Sequence, residues 1–202
     1  MPRQVSAVVV CGPSGVGKTT VGQELALLLK CPFVEGDDYH SNENKEKMRS
    51  GVPLTDEDRA PWLLRLREEV LAPCKGRGAV SVVLACSALR QRYRDVLRGM
   101  DRSKGATEAV GTPQNTEVFF VLLSGDVKLI EERLRARQGH FMPVSQHLSQ
   151  QCTLEALQPT ELGATVDLAD PPELIAKKAA EMIRITTTSP PAALQPAPPT
   201  CA

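Results

Sequence analysis

The run Val8-Val9-Val10-Cys11-Gly12-Pro13-Ser14-Gly15-Val16-Gly17-Lys18-Thr19-Thr20 decides the fold. Gly12 and Gly17, followed at once by Lys18 and Thr19, have the spacing of a phosphate-binding loop. Val5 to Cys11 is apolar and rich in β-branched residues, which predicts a buried strand. Beyond the loop, Val21, Leu25, Leu28 and Leu29 recur at helical spacing and predict a helix with a core-facing stripe. Strand, glycine loop and helix in that order give the motif a mechanism. Glycines let successive backbone N–H groups turn towards an anion. The helix start adds the positive end of its dipole. Lys18 is placed to reach the β- and γ-phosphates of a nucleotide, and the Thr19 hydroxyl to hold Mg²⁺. A bland Gly-rich turn would not need all these positions and both flanks at once.

A chain of 202 residues suits one domain with a sizeable core. Lys plus Arg and Asp plus Glu both number 24, so the formal net charge is zero. That balance argues against broad electrostatic capture of nucleic acid or of an anionic membrane. The cysteines at 11, 31, 74, 86, 152 and 201 include no CxxC pair, so neither a zinc site nor a redox dithiol is expected. Cys11 and Cys86 lie in or beside apolar runs and read as buried free thiols of a reducing compartment. The first strand begins almost at the N-terminus, leaving no room for a signal peptide, and no apolar run has membrane-spanning length. A cytoplasmic location is the expectation.

Pro32-Phe33-Val34 predicts a second strand, running into Glu35-Gly36-Asp37-Asp38-Tyr39-His40. Ser41 is a candidate cap for a polar helix that Gly51-Val52-Pro53-Leu54 breaks. Thr55 and Asp58 form a capping box with a shortened acid, and Trp62, Leu66 and Val70 then face a core. Ala79 to Ala85 predicts the third strand, and Arg90 to Arg98 a basic helix. Residues 99–116 have no periodicity and read as a long surface loop. Val118 to Leu123 and Ala164 to Leu168 complete the strands, with helices over Asp126 to Gln138, Ser145 to Cys152 and Pro172 to Ile185. Strands alternating with helices predict an α/β, three-layer fold built on a five-stranded parallel sheet, with ligands bound beyond the strands' carboxyl ends. A single domain over residues 1–185 is expected, with a disordered Pro-rich tail over 186–202.

Three classes share the phosphate loop. A GTPase switch reads guanine through Asn-Lys-x-Asp, but the nearest string is Asn44-Lys45-Glu46-Lys47. A transport or motor ATPase ends its third strand in acids, whereas this one ends in Leu84-Ala85-Cys86-Ser87. A small-molecule kinase places an acid after strand two, basic residues around the acceptor and arginines in a lid. Asp37 or Asp38 supplies the acid able to orient a hydroxyl and take its proton. Arg133 and Arg137 lie one helical turn apart before Gly139-His140-Phe141-Met142-Pro143, as a mobile arginine lid over a transferring phosphate requires. A solvated acidic turn and a solvated basic face are the plain readings of the same residues.

These strings, taken together, resemble the gluconokinases, P-loop kinases that phosphorylate D-gluconate at its 6-hydroxyl with ATP. The resemblance runs from Val8 to about Ile183. It is carried by Gly36 to His40, Asn44 with Lys47-Met48, Gly51 to Leu63, Val83 to Leu89 with Tyr93-Arg94-Asp95, and Arg137 to Pro143. It implies a nucleoside- and shikimate-kinase-like fold with a lid at about residues 133–152. It implies ATP and Mg²⁺ at Gly12, Pro13, Ser14, Gly15, Val16, Gly17, Lys18, Thr19 and Thr20, with Thr19 on the metal and Arg133 on the nucleotide. Lys18, Asp37 and Arg137 are the implied catalytic residues. Asp37, His40, Lys47, Arg59, Arg94 and His140 are the implied acceptor-side residues. Gluconate, one carboxylate and five hydroxyls, calls for a bidentate cation and several hydrogen-bonding groups. A homodimer is a further implication of the family. The sequence departs from the family pattern at Glu35, where Asp is usual, and at Gln151-Cys152, where Phe-Glu is usual. A kinase of another small polyol or sugar acid, a kinase-fold nucleotide-binding protein with little turnover, and an ATP-dependent switch are the alternatives.

Overall fold

Strand β1 (Ala7–Cys11) is buried at every residue and sits at the centre of the sheet. The structure, a computed structural model, describes residues 4–77, 79–100, 117–130 and 150–188. Around β1 lie β2 (Phe33–Glu35), β3 (Val83–Ala85), β4 (Val118–Ser124) and β5 (Gly163–Asp167), in the order β2-β3-β1-β4-β5. Every pairing is parallel. Parallel neighbours need long crossovers, and these are the helices predicted between the strands.

Alternation along β1 and β4 splits the core in two. Ala7, Val9, Cys11, Phe120 and Leu122 point to one face, where Trp62, Leu63, Leu66, Tyr93 and Leu97 cover them. Val8, Val10, Phe119, Val121 and Leu123 point to the other, against Val21, Leu25, Ile175 and Ala179. Helices α1 (Lys18–Leu29) and α5 (Pro172–Thr188) pack on each other over that second face. Helices α3 (Asp56–Leu66) and α4 (Gln91–Arg98) cover the first. The short α2 (Asn42–Arg49) lies between β2 and α3.

Local signals explain the boundaries. The Ser41 side chain accepts from the Asn44 N–H at 3.2 Å and starts α2. Thr55 and Asp58 make the reciprocal box that starts α3. A π turn (Arg67–Leu71) and a 3₁₀ turn (Ala72–Cys74) then end the α3 segment at Pro73, as expected. Three expectations are corrected. Leu28 is exposed, because the face of α1 that meets the sheet is Val21, Gly22, Leu25 and Ala26. The third strand pairs only over Val83–Ala85. The last helix runs past residue 185 to Thr188, its final threonine hydroxyls donating back to the Met182 and Arg184 carbonyls. Residues 101–116, most of the expected lid and residues 189–202 lie outside the described residues.

Candidate active site

The carboxyl ends of β1, β2 and β3 open onto one cleft. Ser14, Lys18, Asp37, His40, Arg59 and Ser87 line it, with Met48, Val52, Pro53, Leu54, Trp62, Gln150 and Thr153 completing its walls.

The first wall is the loop after β1. Gly12 has φ +138°, and a Cβ there would lie 2.8 Å from the Leu123 carbonyl oxygen, so only glycine fits beside β4. Gly15 and Gly17 also have positive φ, which turns the intervening amides towards one concave side. The Lys18 ammonium donates to the Pro13 carbonyl at 2.9 Å and so is held over the loop. Burial pushes the Lys18 pKa down, opposed by the carboxylates of Asp37 and Glu35. The Ser14 N–H donates to Gln150 Oε1 at 2.7 Å. The Thr19 hydroxyl donates to Glu35 at 2.7 Å. A hydroxyl whose proton is committed in this way keeps its lone pairs for a cation. The described residues hold no cluster of three or more His, Cys, Asp or Glu able to cage a metal alone. The oxygens of Thr19 and, behind it, Glu35 fit a hard cation whose shell phosphate oxygens and water would complete.

The second wall follows β2. Gly36 approaches β3 so closely that a Cβ would meet the Ala85 carbonyl oxygen at 2.4 Å. That contact brings the turn Gly36–Tyr39, and with it Asp37, to the rim of the sheet. Trp62 Nε1 donates to the Gly36 carbonyl at 2.8 Å, and its ring stacks on His40 with centroids 4.0 Å apart. His40 is buried, its Nε2 3.9 Å from an Asp37 carboxylate oxygen. Its Nδ1 has no hydrogen-bond partner among the described residues. An orphaned lone pair costs less than an orphaned N–H, which places the imidazole proton on Nε2, towards Asp37. Burial first, then Arg59 and Lys45, pull the His40 pKa down to about 4 against the pull of Asp37, so the ring is neutral at physiological pH. Arg59 lies across the cleft, its guanidinium fixed by the Leu54 carbonyl at 2.6 Å.

Sequence-predicted residues separate into three groups. Lys18, Asp37, His40, Arg59 and Ser14 are brought together in the cleft. Two others are not. Lys47 is tied to the Asp58 carboxylate at 2.7 and 2.9 Å, joining α2 to the cap of α3. Arg94 is fully buried and paired with Glu161 at 2.7 Å, so the expected acceptor-side place for it is corrected. Its α4 faces inward because the apolar Tyr93 and Leu97 and the guanidinium share the buried side. Arg133, Arg137 and His140 lie outside the described residues. Ser87, Gln150, Thr153 and the Val52-Pro53-Leu54 edge were not singled out from the sequence as lining groups. Gln150 stands 136 residues from its partner Ser14, and no local pattern signals such a pairing.

The chain is similar to several known proteins. A family model described as an AAA domain matches residues 8–157. Gluconokinase of Arabidopsis thaliana is 38% identical over 179 residues, covering 87% of this chain and 91% of that protein. Among solved structures, a sugar kinase from Janibacter superposes with TM-score 0.75 at 41% identity, over 92% of this chain and 99% of that one. A gluconokinase from Sinorhizobium meliloti 1021 superposes with TM-score 0.73 at 36% identity, over 92% and 95% of the two chains. A glycine cradle and lysine on one wall, facing an acid, a histidine and an arginine on the other, define a P-loop small-molecule kinase. Within that class, the chain belongs to the gluconokinase family.

Proposed function

We propose that this chain transfers the γ-phosphoryl group of ATP to the 6-hydroxyl of D-gluconate, giving 6-phospho-D-gluconate for carbohydrate acid catabolism. The observation that carries the reading is the single cleft in which Lys18 faces Asp37, His40 and Arg59. The loop amides from Gly12 to Thr19 cradle the phosphates of ATP, and Lys18 offsets charge on the β- and γ-oxygens. Thr19 is the protein ligand for Mg²⁺, which, when bound, neutralises phosphate charge. Asp37 orients the acceptor hydroxyl and accepts its proton. Neutral His40 lies beside Asp37, its Nε2 3.9 Å from a carboxylate oxygen, and forms the floor of the acceptor side. Arg59 is the cation for the acceptor's carboxylate, a bidentate match that an uncharged polyol lacks. Arg133, Arg137 and His140 are assigned to the closing lid on the family pattern. No helix among the described residues is long and apolar enough to cross a membrane. The described cysteines are free thiols, which suits a reducing cytoplasm.

An acceptor panel tests the reading. The purified chain, with ATP and Mg²⁺, should consume ATP with gluconate and far more slowly with sorbitol, glucose or glycerate. Equal turnover on an uncharged polyol would remove the carboxylate role of Arg59. ATP binding without turnover on any acceptor would favour a nucleotide-binding protein.

A further inference from the structure

We propose that Arg94 is a positioning residue that fixes two walls of the cleft from behind, Ser87 through the strained Ala88 and Gln150–Thr153 through the chain that follows them. It never touches substrate.

Ala88 has φ +40°, a conformation that residues with a Cβ rarely adopt, and it is completely buried. Such strain persists only where the surroundings hold it, and it concentrates at functional sites. Here the holder is visible. Arg94 Nη1 donates to the Ala88 carbonyl at 3.1 Å, to the Leu89 carbonyl at 3.4 Å and to the Glu155 carbonyl at 3.1 Å. Nη2 donates to the Ala156 carbonyl at 3.1 Å and to Glu161 at 2.9 Å, and Nε to Glu161 at 2.7 Å. One guanidinium therefore grips the backbone on both sides of the cleft wall.

Each gripped segment adjoins a lining residue. Ser87 precedes Ala88, lines the cleft, and accepts the Gly12 N–H of the phosphate loop at 3.1 Å. Gln150 and Thr153 precede Glu155, and Gln150 accepts from the phosphate-loop Ser14 N–H. Leu89 and Glu155 are also stitched directly, the Glu155 N–H to the Leu89 carbonyl at 2.7 Å and the Gln91 N–H to the Glu155 carboxylate at 2.6 Å.

A buried ion pair is weak evidence for stability, since apolar residues of the same volume often replace one without loss. What an apolar side chain cannot supply is a rigid fork of donors reaching the carbonyls of Ala88, Leu89, Glu155 and Ala156. Lysine keeps the charge opposite Glu161 but lacks that fork.

The kinetic readout rests on the gluconate reading; a second readout does not. Arg94→Lys should raise the gluconate KM about ten- to a hundredfold and the ATP KM with it, at a smaller cost in kcat, because the Ser87 and Gln150–Thr153 walls lose registration with the phosphate loop. Trp62, the chain's single tryptophan, lines the cleft, so its fluorescence should show the same loss in gluconate affinity without turnover. Glu161→Gln leaves Arg94 in place and removes the carboxylate that aims its fork. It should raise the gluconate KM in the same direction, and it decides alone if Arg94→Lys does not fold. Native gluconate KM and affinity in the folded variants would overturn the proposal and leave Arg94 a core residue. If the native chain does not phosphorylate gluconate, the functional reading fails, and amide exchange decides about Arg94. The Gly12 and Glu155 amides should then exchange about tenfold faster in either variant while β1 amides keep their native rates. Uniform change at all of these amides, or none, would overturn it.

Discussion

The Thr19 hydroxyl donates to the Glu35 carboxylate at 2.7 Å and so joins the first turn of α1 to the last residue of β2. Burial holds the Glu35 carboxyl above its ordinary range, and the Thr19 bond and Lys18 oppose that shift. A carboxylate that orients a metal-binding hydroxyl tunes metal affinity by roughly ten- to a hundredfold. Glu35→Gln should therefore raise the Mg²⁺ concentration for half-maximal activity by about tenfold or more. A Mg²⁺ titration at saturating ATP and acceptor checks this, and an unchanged midpoint would separate Glu35 from the metal.

Asp37→Asn keeps the shape of the side chain and removes its basicity. The kcat should fall about a hundred- to ten-thousandfold, the range of a lost general base. ATP affinity should stay close to native, because the phosphate loop is untouched. Stopped-flow or coupled kinetics with separate nucleotide binding would distinguish the two effects. Activity near native in the variant would show that Asp37 is not the base.

His40 gives a pH dependence of stability with a definite sign. Its pKa falls from 6.5 in the unfolded chain to about 4 in the fold. Between those values the unfolded chain binds the proton and the folded chain does not, so stability falls as pH drops through that window. Asp37, Arg59 and Lys45 are the charged groups that act on the ring, and they travel with it in the measurement. The full effect is about 3 kcal/mol, at about 1.4 kcal/mol per pH unit. His40→Phe keeps a stacking ring and cannot titrate. Its Tm should fall less than the native Tm between pH 7 and pH 4.5, and equal slopes would contradict the burial of a neutral imidazole.

Trp62 ties the acceptor turn to α3. Trp62→Phe would leave the Gly36 carbonyl without the Nε1 donor now at 2.8 Å and shrink the ring stacked on His40. A loss of about 1–3 kcal/mol in denaturant unfolding is expected from the unpaired buried carbonyl. The same variant should weaken acceptor binding more than ATP binding, since its Gly36 and His40 contacts both lie on the acceptor wall.

Much of this was legible in the residues. The phosphate loop, the strand–helix alternation and the Thr55–Asp58 box are local patterns, and each forms where its spacing placed it. An acid at Asp37 or Asp38 was legible from its position after a strand, because a parallel sheet gathers such ends on one rim; the choice of Asp37 and the acceptor-side place of His40 came with the family resemblance. Arg94 was placed on the acceptor side by the family resemblance alone, with no local pattern to say which way its side chain turns. Its partner Glu161 lies 67 residues away, and only the fold turns the guanidinium inward. Ser87 and Gln150 escaped for the same reason: their contacts to Gly12 and Ser14 are made across the sheet rim, not along the chain. Leu28 was misplaced because helical spacing gives a face but not which flank of it meets the sheet.

The central claim is phosphoryl transfer from ATP to one hydroxyl of gluconate. ³¹P NMR of the chain incubated with ATP, Mg²⁺ and gluconate tests it most directly. The account predicts one new phosphomonoester signal, coupled to the C6 methylene protons and growing in step with ADP. Absence of any phosphorylated gluconate, or a phosphate carried on a different carbon, would contradict it.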